Sequence, residues 1–207
     1  MTRRPGRQPS AFGVLRHLWA SDVHRVSVGL LAPVPGEHVL DVGAGLGPVS
    51  VLAARLVRPG GRVTALDPSR LMRLVIGARR LAVRAPRTIR TVAGVAEAVP
   101  VPAGAVDAAV GLNVVHLLSD VDAVAAELTR VLRPGGRVLF VEEDLDDPGH
   151  TFHGSTPHGP DGPTLDDLAD ALERGGLMLG ARGERARVGS QPARTLQATS
   201  GHRGGEG

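Results

Sequence analysis

The sequence predicts an α/β fold: a doubly wound, mainly parallel sheet of seven strands, with an antiparallel C-terminal hairpin and helices on both faces. Three observations predict it. From His38 onward, short runs of Val, Leu and Ala alternate with helical stretches. Several of these runs are apolar throughout, as strands are when both sheet faces are covered. Gly and Pro punctuate the junctions, at Pro59-Gly60-Gly61, Arg133-Pro134-Gly135-Gly136 and Gly175-Gly176.

The elements follow in order. Residues 1–9 are polar and expected to form a disordered arm. Residues 10–199 form one domain, opening with two short helices within 10–34, Ala11 to Ala20 and Asp22 to Leu31. Ser21 is a suitable N-cap for the second, and Pro33, Pro35 and Gly36 end the pair. The core spans 35–142. His38 to Val42 is the first strand, followed by a Gly-rich turn and a helix from Pro48 to Val57. Arg62 to Leu66 is the second strand. Ser69 to Ala82 is helical, with Leu71, Leu74, Val75 and Ala78 on one face. Arg87 to Ala93 and Asp107 to Leu112 are the third and fourth strands. Val121 to Leu132 is a helix with Val124, Leu128 and Val131 inward. Arg137 to Glu142 is the fifth strand. The segment 143–163, rich in Asp, His, Gly and Pro, has no periodicity. Leu165 to Arg174 is a last helix; Leu177 to Val188 and Arg194 to Ala198 form the hairpin. Residues 200–207 are expected to be disordered.

Composition narrows the function classes. Hydrophobic residues make up 42% of the 207-residue chain and charged residues 22%, enough apolar material for one sizeable core. The sequence pI of about 11.0 suggests a nucleic-acid binder, but the formal net charge is only +3. All 24 basic residues are Arg, and there is no Lys, Cys or Tyr. Almost nothing titrates between His and Arg, so a small positive charge persists to high pH. The Arg residues are scattered rather than gathered on one segment, which argues against nucleic acid. Zero Cys excludes disulfides and thiolate metal sites. No apolar run reaches the length of a membrane span, and the N-terminal stretch makes a poor signal segment; both point to a cytoplasmic protein.

The chemistry concentrates in Val39-Leu40-Asp41-Val42-Gly43-Ala44-Gly45-Leu46-Gly47-Pro48. A strand end, a Gly-rich turn and a helix start form a ligand site at the carboxyl edge of a parallel sheet. A dinucleotide fingerprint wants a small residue where Pro48 stands. A pyrophosphate would also be repelled by Asp41, whereas a ligand carrying ammonium and sulfonium charges would be attracted. Asp41 could instead cap the following turn, and Gly47 could serve helix–strand packing. Asp67, ending the second strand roughly 20 residues beyond the glycines, is placed to accept from ribose hydroxyls. With Pro68 and Ser69 behind it, it could also be only a helix-start signal.

Four ordered pieces, VLDVGAGLG, VTALDPS, GVAEAVPVPAGAVDAAV and VLRPGGRVLFVE, resemble the class I, Rossmann-like S-adenosylmethionine-dependent methyltransferases, especially the type 11 methyltransferase domain. The resemblance covers about Pro35 to Phe140. It implies a chain that binds S-adenosyl-L-methionine and transfers its methyl group to a small-molecule acceptor by direct in-line displacement. It implies that Asp41, Gly43, Ala44 and Gly45 border the methionine part of that cofactor, that Asp67 holds the ribose, that Ala96 offers its backbone N–H to adenine, and that Asn113 sits beside the methionyl end. The family often has an acid where this chain has Val95; Glu97 more often faces away from adenine. Two places could supply a base: His116, a few residues beyond the fourth strand, and the acid- and His-rich stretch from Glu142 to His158, which could also act as a lid. The His and acid types of that stretch would also suit a divalent metal, or the stretch could be merely solvated; no metal is expected. The N-terminal helices, with Trp19, would complete the pocket wall. The rival readings are a non-catalytic S-adenosylmethionine-binding protein, an NAD-linked oxidoreductase and a nucleic-acid module.

Overall fold

The computed structural model describes residues 21–143, 162–189 and 191–201. Helix α1 (Asp22–Leu31) precedes β1 (His38–Val42), α2 (Pro48–Leu56), β2 (Arg62–Leu66), α3 (Arg70–Ala82), β3 (Ile89–Val92) and β4 (Val106–Leu112). A 3₁₀ turn (Val115–Leu117), α4 (Val121–Val131), β5 (Leu132–Glu143), α5 (Leu165–Arg174), β6 (Leu177–Val188) and β7 (Gln191–Ser200) follow. The expected first helix, Ala11 to Ala20, lies outside the described residues.

The seven strands form one sheet in the order β3-β2-β1-β4-β5-β7-β6. β1 to β5 are parallel, and β7 runs antiparallel to both β5 and β6. The strand order reverses between β1 and β4, and an open α/β sheet binds ligands at such a reversal, outside the strands' carboxyl ends. All five residues of β1 are buried. Leu40 and Val42 join one apolar cluster with Leu128, Phe140 and Leu168, beneath α4 and α5. Val39 joins the other, with Val28, Val49 and Leu139, beneath α1 and α2. The alternation of strand side chains thus feeds two cores, one on each face.

Local chemistry explains several boundaries. Pro48 opens α2, where its fixed φ suits the first turn and its missing N–H costs nothing. Ser69 and Asp120 cap α3 and α4, accepting from Met72 N at 3.4 Å and Ala123 N at 3.0 Å. The Arg137 guanidinium pins the C-terminus of α1, donating to Leu31 O at 2.7 Å and Ala32 O at 2.9 Å while pairing with Glu37. That pairing holds the Glu37 carboxyl below its usual range.

Two expectations are corrected. The fifth strand begins at Leu132, not Arg137. Leu132 pairs with Val106, and the register then jumps to Ala108 opposite Arg137, so Arg133-Pro134-Gly135-Gly136 bulges out of the strand rather than preceding it. The Leu71, Leu74 and Ala78 face of α3 is exposed, Leu71 by 63% and Leu74 by 62%; Ile76 is the fully buried residue. The arginines of α3 reach back to the body of the fold. Arg73 donates to Asp67 O and Pro68 O, Arg79 to Leu46 O and Arg80 to Ile89 O, satisfying carbonyls at the ends of the strands and turns.

Gly47 serves packing: a Cβ there would lie 2.8 Å from Ile76 Cγ1, and its φ is +76°. Gly47→Ala is expected to cost about 2 kcal/mol, roughly 4–8 °C in Tm by thermal denaturation, from left-handed strain plus overlap. Gly45→Ala, whose Cβ would meet only Gly43 O at 3.9 Å, should cost less.

Candidate active site

At the carboxyl ends of β1 and β4 lies a cavity of about 580 Å³, lined mostly by apolar groups. Its volume falls in the ~300–1,000 Å³ range of small-molecule sites. Asp41, Gly43, Ala44, Gly45, Asp67, Ala96, Asn113 and His116 all line it. The structure therefore brings these eight residues to one place.

The glycine elbow is built by its backbone. Gly43 and Gly45 have φ of +65° and +52°, the left-handed region that glycine enters without penalty. Ala44 N donates to Leu66 O at 2.9 Å, and Gly47 N donates to Ala44 O at 2.8 Å. A side chain on Gly43 would start 2.5 Å from Val114 Cγ2, so its absence lets the elbow close against the segment beyond β4. At Gly45 a Cβ would meet only Gly43 O, at 3.9 Å, so the left-handed φ rather than crowding calls for glycine at this cavity-lining position.

Two carboxylates stand at the root. Asp41 is 2% exposed, and its Oδ2 accepts from Ser50 Oγ at 2.5 Å. Burial pushes its carboxyl up to about 7, against the opposing hydrogen bonds from Ser50; the nearby Asp67 charge adds to the rise. Asp41 braces the first turn of α2 through Ser50 and also lines the cavity. Asp67 accepts from Gly45 N through Oδ2 and from Ser69 N through Oδ1, each at 2.8 Å. One side chain thus ties the elbow to the start of α3 while lining the cavity. A cation placed beside Asp41 would restore the charged form that burial disfavours.

The opposite wall follows β4. Asn113 adopts φ +53°, a left-handed conformation that Asn tolerates better than most residues. Its amide is engaged on both sides by the end of β5: Nδ2 donates to Glu143 Oε1 at 2.7 Å, and Oδ1 accepts from Glu143 N at 2.8 Å. His116 Nδ1 lies 2.8 Å from Glu142 Oε2. Glu142 Oε1 accepts from Val114 N and Val115 N, both at 2.7 Å. The two base candidates of the sequence therefore meet, since Glu142 opens the stretch set against His116. Sequence reasoning missed this pairing, and it missed Ser50 as the partner of Asp41. An acid at the end of the fifth strand, a His just beyond the fourth and a hydroxyl in the first turn of α2 were the only signals.

The third wall is the turn at Val95, Ala96 and Glu97. Ala98 N donates to Val95 O at 3.2 Å, and Glu97 Oε1 accepts from Ser119 N at 2.8 Å. Glu97 lines the cavity, as does Val95, which is 44% exposed. His24 of α1 completes the wall on the N-terminal side. Trp19 and the His/Asp-rich stretch 144–161 lie outside the described residues. Among the described residues no cluster of three metal-ligating side chains occurs, and no helix is long and apolar enough to cross a membrane.

This strand order, with a carboxylate-rooted glycine elbow at the reversal, defines the class I, Rossmann-like methyltransferase architecture. The model of a methyltransferase domain family matches residues 40–140 of the chain. It is 33% identical over 120 residues to a demethylmenaquinone methyltransferase of Symbiobacterium thermophilum, a stretch covering 58% of this chain and 47% of that protein. It is 39% identical over 120 residues to a malonyl-[acyl-carrier protein] O-methyltransferase of Serratia marcescens, covering 58% of this chain and 43% of that protein. The chain thus spans less than half the length of these curated relatives. A crystal structure of a S-adenosylmethionine-dependent methyltransferase from Aquifex aeolicus superposes with a TM-score of 0.73 at 21% identity, covering 94% of this chain and 99% of that one.

Proposed function

We propose that the protein is an S-adenosylmethionine-dependent methyltransferase that transfers a methyl group to a small-molecule acceptor by direct in-line displacement. The observation that carries this reading is one cavity at the sheet reversal, with a glycine elbow, two carboxylates at its root and, on its far wall, His116 backed by Glu142. When bound, S-adenosylmethionine supplies an electrophilic methyl group on a sulfonium.

The chain's residues divide the remaining work. Asp41, at the root of the elbow, faces the ligand's ammonium; Gly43, Ala44 and Gly45 let the backbone approach it. Asp67 retains free lone pairs on oxygens already fixed by Gly45 N and Ser69 N, and accepts from the ribose hydroxyls. Ala96 offers its N–H to adenine. Asn113 shapes the wall beside the methionyl end. His116 takes the proton that a hydroxyl acceptor must lose. The enzyme's main task is then to align the acceptor and keep water out. The similarity to a demethylmenaquinone methyltransferase and to a malonyl-[acyl-carrier protein] O-methyltransferase supports a small or carrier-bound acceptor without selecting one. An NAD-linked oxidoreductase fits less well, because a pyrophosphate at this elbow would face Asp41.

Isothermal titration with S-adenosylmethionine or S-adenosylhomocysteine tests the reading, with NAD as competitor. Micromolar binding unaffected by NAD is expected; no heat with either sulfur compound would sink it. The titration carries a second expectation. Asp41 keeps its proton up to about pH 7 in the ligand-free protein. A cationic ligand selects the carboxylate, so binding releases that proton. Affinity should rise about 10-fold from pH 6 to pH 8. Asp41→Asn should flatten this rise while weakening binding. The stability sign is opposite: the ligand-free fold holds the proton more tightly than the unfolded chain, so this group's contribution falls as pH climbs from about 4 toward 7.

A further inference from the structure

Glu142 is not among the residues lining the cavity, yet it organises the one imidazole on the far wall. Three donors converge on its carboxylate. Val114 N and Val115 N reach Oε1 at 2.7 Å each, and His116 Nδ1 reaches Oε2 at 2.8 Å. Those backbone donors come from the two residues immediately before His116. Val114 and Val115 are themselves buried. The ring, the turn that carries it and the carboxylate behind it therefore form one rigid unit. The neighbouring Glu143 is directed to Asn113 instead, because successive side chains on a strand point to opposite sides.

We propose that Glu142 is a positioning residue that holds His116 in the tautomer protonated on Nδ1, so that Nε2 carries the lone pair used on the methyl acceptor. An ionised carboxylate only accepts hydrogen bonds, and a neutral imidazole has one N–H and one lone pair. With both Glu142 oxygens aimed by their donors, the nitrogen facing Oε2 must be the N–H. The proposal deepens the methyltransferase reading and, for the use made of Nε2, rests on it. The acceptor's O–H bond breaks with its electron pair left on oxygen, and its proton goes to Nε2. The imidazolium so formed lies against the Glu142 carboxylate, which balances its charge. This suits an acceptor that has a proton to lose at the methylated atom, such as a hydroxyl or a protonated amine.

The tautomer can be read without an acceptor. Long-range ¹H–¹⁵N NMR of the full chain labelled at histidine, with His116→Ala to assign the signal, reports which ring nitrogen bears hydrogen. An Nδ1–H, Nε2-unprotonated pattern is expected for His116 in the unsubstituted protein; an Nε2–H pattern overturns the proposal. Glu142→Gln keeps an oxygen for Val114 N and Val115 N but presents an amide donor to the ring. The Nε2–H tautomer should then dominate, and an unchanged His116 spectrum overturns the proposal. If Glu142→Gln fails to fold, the spectrum of the unsubstituted protein still decides. Titration of S-adenosylhomocysteine into the same samples separates the two ideas. Absent binding to the unsubstituted protein sinks the methyltransferase reading, whereas a wrong tautomer with intact binding sinks only the role of Glu142.

Discussion

His116→Ala lowers methyl transfer by ~10²–10⁴-fold while leaving affinity for S-adenosylhomocysteine within about twofold, the size and pattern expected when a general base is lost. The pattern follows from geometry. His116 stands on the wall carried by the turn after β4, whereas the elbow and Asp67 belong to β1 and β2. Removing the imidazole touches neither. It leaves Glu142 Oε2 without its partner, but Oε1 keeps both backbone donors, so the turn should survive at a cost of about 1 kcal/mol. The measurement is turnover with an acceptor found by a metabolite screen, alongside calorimetry with the demethylated product. Unchanged turnover would make His116 a wall residue and nothing more. Equal losses in turnover and affinity would show that the turn itself had collapsed.

Asp67→Ala should weaken S-adenosylhomocysteine binding by about 2–4 kcal/mol, roughly 30- to 700-fold. Two effects combine. The ribose hydroxyls lose their acceptor, and Gly45 N and Ser69 N lose the charged oxygens that fix the elbow against α3. Asp67→Asn separates them poorly by charge but well by geometry. Both oxygens of Asp67 accept from backbone N–H groups, so an amide must turn its NH₂ toward one of those donors. Asn should therefore recover no more than about half of the lost binding energy. Calorimetry on both variants, with thermal denaturation beside it, checks this. Unchanged affinity in Asp67→Ala would dismiss the ribose role and leave Asp67 as the start signal of α3.

Local patterns carried much of the fold. Asp22–Leu31, His38–Val42, Arg62–Leu66, Leu165–Arg174 and Leu177–Val188 lie where periodicity, caps and Gly/Pro breaks place them. These signals act within a few residues, so a single chain displays them. The start of β5 and the inward face of α3 were not legible. Leu132 is a strand residue only because Val106 lies opposite it, and α3 buries Ile76 while Leu71 and Leu74 face outward, a choice that its packing partners make. The site divides in the same way. Asp41, the glycines and Asp67 could be singled out because their spacing along one β-turn-α unit is itself the signal. Ser50 behind Asp41 and Glu142 behind His116 carried no comparable pattern.

The order of apolar runs, the turn chemistry and the glycine elbow were properties of the amino-acid sequence alone, since each rests on backbone preferences and on contacts between near neighbours. Which carboxylate serves which partner was decided only in three dimensions. β5 pairs beside β4, and that register sets Glu142 against a histidine 26 residues earlier and Glu143 against Asn113. Burial beneath α2, not the identity of the residue, is what lets Asp41 keep its proton up to about pH 7. Hydrogen bonds between distant strands and the loss of water around a carboxylate exist only once the sheet has closed.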